Sequence, residues 1–412
     1  MEKIGKNAKV ASYALSNMDI KKKNSVLKQY STYLKIYSKL ILKENRKDLL
    51  KIKSFKNPIY SRLELNNNKI NQIIKSVNEI IKFKNPVGKI LSSWTRPNNL
   101  VIKKISIPIG VIGVIYESRP NVTSDVAAIS FKTGNAAILR GGSEAFYSNK
   151  ILSTLFIKAL KKKDCNQNCI QFVQNKSRKN VDYLLSKMQK YVDVIIPRGG
   201  KSLIKKVKSK SKIPTIGHLE GLCHVYVDRN SNLDMAIKIV KNSKMRNFSI
   251  CGAAETLLID RMCLDTHCEP ILNELHKLGC KIIGDNEIKK NFSKSIKIAK
   301  HKDWHTEYLS PTISVKSVNG VNEAISHINK YGTSHTDSII TKNKKTAKVF
   351  LSKVKSSIAI HNASTQFADG GEFGFGAEVG ISTEKLPPRG PVGLNQLTTY
   401  KYVLQGKGQV RK

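Results

Sequence analysis

Acidic residues are scarce in this chain: 30 Asp and Glu stand against 72 Lys and Arg, a formal net charge of +42 over 412 residues. Arginine is also scarce beside lysine. The lysines are spread over nearly every polar face, as in Lys21-Lys22-Lys23, Lys161-Lys162-Lys163, Lys205-Lys206 and Lys344-Lys345. A nucleic-acid groove needs clustered charge. The spread therefore argues for a bias in the coding material and against a nucleic-acid partner, although the field favours an anionic substrate. Long apolar runs are missing. The longest, Ile109–Tyr116, has eight residues, whereas a bilayer-crossing helix needs about 20, so no membrane partner is expected. Met1-Glu2-Lys3-Ile4-Gly5-Lys6 lacks an apolar signal core, so the cytoplasm is the expected location. The seven cysteines are an odd number and read as reduced thiols. Cys263 and Cys268 flank His267, but no second pair sits at zinc spacing, so no metal is expected. The Gly-x-Gly-x-x-Gly fingerprint is absent, which excludes a standard dinucleotide fold. A hydrophobic fraction of 40% excludes wholesale disorder.

What is present is an α/β alternation. Residues 1–85 read as helices: Val26, Tyr30, Tyr33, Leu34, Tyr37, Leu40 and Ile41 recur at three- and four-residue spacing. A second helical stretch covers Leu65–Phe83 and is broken by Pro86-Val87-Gly88. The turn Arg96-Pro97-Asn98-Asn99 precedes β-rich Leu100–Ile107, an extended hairpin feeding the buried strand Ile109–Tyr116. Helix Asn121–Phe131, strand Ala136–Leu139 and a further helix follow. Cys169–Val173 and Val192–Pro197 are later strands. This alternation predicts a doubly wound parallel sheet. A second α/β set begins at Cys223–Asp228, with strands at Glu255–Asp260, Lys281–Gly284 and Ser356–His361 and helices at Thr266–Leu278 and Val321–Tyr331. A Gly-rich loop runs from Asp369 to Gly376, and Leu397–Leu404 is strand-like.

Four places carry chemistry. Arg140-Gly141-Gly142-Ser143 and Pro197-Arg198-Gly199-Gly200 each join a strand end to a helix. Exposed N–H groups, a positive helix end and an Arg suit a phosphate; plain turn chemistry is the alternative on either loop alone. Cys251, in Ser249-Ile250-Cys251-Gly252-Ala253-Ala254, has small neighbours that admit a substrate, or else is a buried structural cysteine. Asn121 reads either as a helix N-cap or as an amide aimed at a substrate carbonyl.

These segments together resemble the gamma-glutamyl phosphate reductase family of the aldehyde dehydrogenase superfamily. The resemblance rests on residues 108–123, on Lys132-Thr133-Gly134-Asn135 with residues 138–144, and on Ile196-Pro197-Arg198-Gly199-Gly200. Residues 223–228, Glu255-Thr256-Leu257-Leu258, Asn362-Ala363-Ser364-Thr365 through Pro391 and residues 397–402 extend it. It implies an aldehyde dehydrogenase-like fold: an NADP-binding domain (1–93 and 110–221), a catalytic domain (222–394) and an oligomerisation β-flap (94–109 and 395–412), so a homo-oligomer. The flap hairpin and the C-terminal strand are expected to pair across subunits. The implied reaction is NADPH-dependent reduction of L-glutamyl 5-phosphate, a small-molecule acyl phosphate, to glutamate 5-semialdehyde, the second step of proline synthesis from glutamate. The length leaves no room for a fused kinase domain, so functional coupling to a separate glutamate 5-kinase is expected.

The resemblance puts Cys251 at the nucleophile, Asn121 at the oxyanion-stabilising amide and Glu307 at the nicotinamide ribose. It also puts the Arg-Gly-Gly loops in the cofactor domain. Arg119, Asn362 and Ser364 are the expected substrate contacts. Hydrolytic relatives activate water with a carboxylate. The matching segment here is His218-Leu219-Glu220-Gly221, its carboxylate two positions out of register, so phosphate rather than water is expected to take the acyl group. The chain departs from the family at Asn247-Phe248-Ser249, Gly252, Gln366 and Pro387-Pro388, which bear on substrate anchoring more than on reaction type. The rival readings are a related dehydrogenase with another acyl substrate and a nucleic-acid-binding protein on a decayed enzyme fold.

Overall fold

Pro97 and two asparagines at 98 and 99 make the tightest turn of the flap. Asn99 takes φ 65°, a conformation its short amide tolerates, and its N–H donates to the Arg96 carbonyl at 2.8 Å. The turn joins β1 (Ile90–Thr95) to antiparallel β2 (Val101–Pro108). The C-terminal strand Thr398–Gln405 pairs with the other edge of β2, from Thr398 opposite Pro108 to Gln405 opposite Val101. Hairpin and tail thus pair with each other within one chain.

The computed structural model describes residues 1–52, 54, 58–375 and 377–411. Gly376, at the end of the expected Gly-rich loop, and Lys412 lie outside the described residues. The chain divides into two compact units. One comprises Met1–Gly217, Gly374–Gly380 and Val392–Lys412; the other comprises His218–Phe373 and Ile381–Pro391.

In the first unit the apolar run becomes β3 (Val111–Tyr116), buried at every residue. β4 (Ala136–Gly141), β5 (Ile170–Phe172) and β6 (Val194–Arg198) complete a parallel sheet of order β5-β4-β3-β6. Helices Ile20–Ile36, Asn67–Lys82, Asn121–Lys132 and Phe146–Lys162 supply Tyr30, Val77, Phe131 and Phe156 to one apolar cluster with the sheet. The chain moves outward one way through β4 and β5, then returns to the other side of β3 as β6. The reversal lies between β3 and β6, and ligands of such sheets bind outside the carboxyl ends of the strands at that point.

The second unit is a seven-stranded parallel sheet. Its strands are β7 (Cys223–Val227), β8 (Ala254–Asp260), β9 (Lys281–Gly284), β10 (Lys297–Ile298), β11 (Thr312–Val318), β12 (Thr336–Ile340) and β13 (Ile358–His361). The order is β10-β9-β11-β8-β7-β12-β13. β11 and β12 escape the sequence reading because their residues are mixed in polarity. In β12 the polar residues are nonetheless buried and paired: the Asp337 carboxylate accepts the His224 N–H and bonds its Nδ1, both at 2.8 Å.

His327, on helix Gly320–Tyr331, is packed against Trp304, Tyr331 and His224. Burial, aided by His224 and Lys316, depresses its pKa from 6.5 to about 2. The folded chain thus keeps this ring neutral where the unfolded chain protonates it. Its contribution to stability is intact above pH 6.5 and is lost as pH falls toward the folded value, at about 1.4 kcal/mol per pH unit. His327→Phe should flatten unfolding free energy against pH between roughly 6 and 4 by about that slope. Equal slopes in urea titrations of both proteins would contradict it.

Candidate active site

Cys251 lies in the turn between helix Leu233–Met245 and β8. The Ala253 N–H donates to the Ile250 carbonyl at 3.0 Å and closes the turn. The thiol is half-buried, while the other six cysteines are buried; all seven are free thiols. The alternative of a buried structural cysteine therefore does not describe it. Gly221 lies directly beneath: a Cβ there would sit 2.1 Å from the Cys251 carbonyl oxygen and 2.6 Å from its Cβ. Only glycine permits that approach. The Gly221 N–H donates to Glu307 Oε1 at 2.8 Å, so the carboxylate expected at the cofactor ribose is tied to the segment beneath Cys251.

Cys223, the first residue of β7, donates its S–H to the Cys251 carbonyl at 3.1 Å. Burial pushes the Cys223 thiol well above its ordinary pKa, with Asp337 adding to the rise. It thus stays protonated and serves as a donor. Its sulfur is 3.5 Å from Nδ1 of buried His335. The His335 and His218 rings meet edge to face, centroids 4.9 Å apart. One donor atom from each of His218, Cys251 and His335 lies within 4.8 Å of the other two. Cys223 opens β7, Cys251 precedes β8 and His335 precedes β12, so the cluster stands at the amino ends of three adjacent strands. The spacing of these residues along the chain carries no sign of it, and His335 is a site residue that sequence patterns do not mark.

Two buried groups brace this turn. Lys244 Nζ and Glu255 Oε2 are 2.6 Å apart with both side chains inaccessible. Burial raises the Glu255 carboxyl to about 7 while Lys244 pulls against it. Gln366, where the resemblance leads one to expect Arg, donates to the carbonyls of Ser243 at 3.0 Å and Asn247 at 3.1 Å. Its Oε1 accepts from Arg246 at 3.0 Å. One amide thus clamps the segment that leads to Cys251. The two expected substrate contacts nearby are engaged inside the protein. Asn362 bonds Thr341 N and O, each at 2.9 Å. Ser364 Oγ is bonded by Ser243 at 3.1 Å and by the Gln366 N–H at 3.2 Å.

In the first unit, Asn121 is the first residue of its helix and Pro120 holds the cap position, which corrects the N-cap reading. Its Nδ2 donates to Asp125 at 3.0 Å. Asp125 also accepts from Ser76 at 2.9 Å, and burial raises its pKa. The Asn121 amide is oriented by one N–H and retains a second. Asn121, Asp125 and exposed Arg119 line a cavity of about 490 Å³ with Arg62 and Lys69.

The Arg-Gly-Gly loops follow β4 and β6, on the two sides of β3. Gly200 caps helix Lys201–Lys210 with no side-chain cap, and its N–H donates to Glu117 Oε2 at 2.8 Å. Glu144 accepts from the Ser118 N–H at 2.8 Å and lies over Gly142. Arg140 is buried and donates to the carbonyls of Gly141 and Lys176, whereas Ser143 is exposed. Pro197 is buried within β6. Each loop thus offers a helix N-terminus and small residues, with an internal carboxylate beside it.

Residues 1–293 match the family model described as "Aldehyde dehydrogenase family". Gamma-glutamyl phosphate reductase of Bartonella quintana is 45% identical over 413 residues, covering 100% of both chains. That of Parvibaculum lavamentivorans is 46% identical, covering 100% of this chain and 97% of its own. The crystal structure of gamma-glutamyl phosphate reductase from Thermotoga maritima superposes with a TM-score of 0.97 at 38% identity, covering 100% of this chain and 99% of that one. The chain belongs to the aldehyde dehydrogenase family and, within it, to the gamma-glutamyl phosphate reductases. It is an oxidoreductase of a family that uses a nicotinamide cofactor. No helix among the described residues is long and apolar enough to cross a membrane.

Proposed function

We propose that the protein reduces L-glutamyl 5-phosphate to L-glutamate 5-semialdehyde with NADPH, releasing phosphate, through a thioester on Cys251. The single observation that carries this reading is the half-buried Cys251 thiol held over Gly221, in a chain 45% identical to named gamma-glutamyl phosphate reductases. The Cys251 thiolate attacks the acyl carbonyl, a C–S bond forms and phosphate leaves. The Asn121 amide, oriented by Asp125, is the donor assigned to the oxyanion; one such donor is worth about 3 kcal/mol. When bound, the cofactor supplies the hydride that takes the acyl group to the aldehyde. The first unit is assigned to the cofactor and the second to the acyl chemistry. The sheet reversal at β3/β6 and the two loops around Arg140–Ser143 and Pro197–Gly200 fit an anionic cofactor. Glu307 is assigned to its ribose and Arg119 to an anionic group of the substrate. The reaction supplies the second step from glutamate to proline in the cytoplasm, and a separate glutamate 5-kinase provides the acyl phosphate.

In the reverse direction, NADP⁺ reduction by glutamate semialdehyde should require inorganic phosphate, because the position of the water-activating carboxylate holds His218. General-base activation is worth roughly 10²–10⁴ in rate, so hydrolysis should be slow. Sustained NADPH formation in phosphate-free buffer would contradict the phosphorolytic reading. Activity with aspartyl phosphate but not glutamyl phosphate would replace the substrate.

The flap is assigned to self-association. Its β1 is exposed throughout. Leu91, Trp94, Tyr402 and Leu404 are all 40% or more accessible, an apolar patch of the kind that marks an interface. Trp94→Lys with Tyr402→Lys should give a soluble chain of lower sedimentation mass. An unchanged mass would remove this surface from the assembly.

A further inference from the structure

The trio at the head of β7, β8 and β12 has a chemistry beyond acyl transfer. We propose that Cys251, His218 and His335 form a site for a thiophilic divalent cation, Zn²⁺, whose binding reversibly blocks the enzyme. The donor set is one thiolate and two imidazoles. Their atoms lie within 4.8 Å of one another. Around tetrahedral Zn²⁺ such atoms are about 3.4–3.6 Å apart, given ordinary bond lengths, so small side-chain rotations close the site.

The outer partners of both rings suit a metal. His218 Nδ1 faces the Ile381 carbonyl at 2.8 Å. A carbonyl only accepts, so Nδ1 carries the proton and Nε2 keeps its lone pair. A carbonyl behind a metal-bound imidazole is the usual arrangement and fixes the tautomer. His335 is fully buried, with Nδ1 bonded to Thr336 Oγ1 at 2.9 Å. Its Nε2 is buried and has no hydrogen-bond partner among the described residues. A buried imidazole nitrogen without a partner is costly unless something occupies it. Cys251 is half-buried, which gives a cation a way in. Three protein donors leave the fourth position to water, the pattern of an open zinc site.

On binding, the Cys251 S–H bond breaks, its proton passes to solvent and an S–Zn bond forms. No electron changes hands. The sulfur lone pair that would attack the acyl carbonyl is then held by the metal. The inhibitory consequence rests on Cys251 being the nucleophile; the binding itself does not.

Chelator-treated chain is titrated with Co²⁺ and then with Zn²⁺. The expected result is one Co²⁺ per chain, with a near-ultraviolet thiolate charge-transfer band that Zn²⁺ bleaches by displacement. Cys251→Ser should lose the band, and Cys263→Ser should keep it. His218→Gln and His335→Gln should each weaken Zn²⁺ binding by about 10-fold or more. Zn²⁺ should slow the wild-type reductase, and chelator should restore it. The proposal is overturned if no band forms, if the band survives Cys251→Ser, or if both histidine variants bind Zn²⁺ within about twofold of wild type. Should His335→Gln fail to fold, the partly exposed His218→Gln decides the point alone. One Zn²⁺ bound at these residues with an unchanged rate would overturn the nucleophile reading and the inhibition, but leave the binding site standing.

Discussion

Cys251→Ser should lower kcat by roughly 10³-fold or more while leaving fold and NADPH affinity nearly unchanged. The serine hydroxyl is a far weaker nucleophile at neutral pH, and nothing else at the site replaces a lost thiolate. Cys223 cannot stand in, because it is buried, protonated and committed to the Cys251 carbonyl. The turn itself should survive, since its closing bond runs between backbone groups of Ala253 and Ile250. The checks are steady-state rates, NADPH titration by fluorescence quenching and a thermal melt. A variant that keeps more than about a tenth of the rate would show the chemistry proceeding without a covalent thioester.

Gly221→Ala should be nearly as damaging, although alanine carries no chemistry. Its Cβ would meet the Cys251 carbonyl oxygen at 2.1 Å and the Cys251 Cβ at 2.6 Å. Neither atom is the end of a flexible side chain, so the backbone of one segment has to shift. A displacement of about 1 Å at a reacting atom costs on the order of 10² in rate. The Glu307 contact made by the Gly221 N–H should weaken as well. The loss should fall mainly on kcat, with stability reduced by about 1–3 kcal/mol as overpacking does. A variant with wild-type kcat would mean that the Cys251 turn moves freely and that its placement over Gly221 is unimportant.

Much of the fold is legible where burial is uniform. Ile109–Tyr116 reads as a core strand because a parallel strand covered on both faces needs apolar residues on both, and β3 is buried throughout. Lys281–Gly284 agrees with β9 at both ends. β12 is not legible: Thr336, Asp337 and Ser338 are polar, and their burial depends on partners such as His224 that are remote in sequence. The site divides the same way. Cys251 and Gly252 stand together in the chain, and the family resemblance marks the cysteine. The approach of Gly221, the sulfur of Cys223 and the two imidazoles arise only when strand order brings their amino ends together. Gln366 shows the limit from the other side. As a replaced Arg it looks like a lost substrate contact, yet it holds the carbonyls of Ser243 and Asn247. The carboxylate of Glu117 beside Gly199 and Gly200 is likewise invisible in the Arg-Gly-Gly pattern, because it comes from another part of the chain, whereas Glu144 follows its own loop directly.

The central claim is a covalent acyl intermediate on Cys251. The most direct test is the intact mass of the chain, acid-quenched after exposure to glutamate semialdehyde and NADP⁺ in phosphate-free buffer. The expected result is a chain heavier by one glutamyl group, mapped to the peptide containing Cys251, which disappears with release of glutamyl phosphate when inorganic phosphate is added. NADPH formation with no adduct, or with an adduct on another residue, would contradict it.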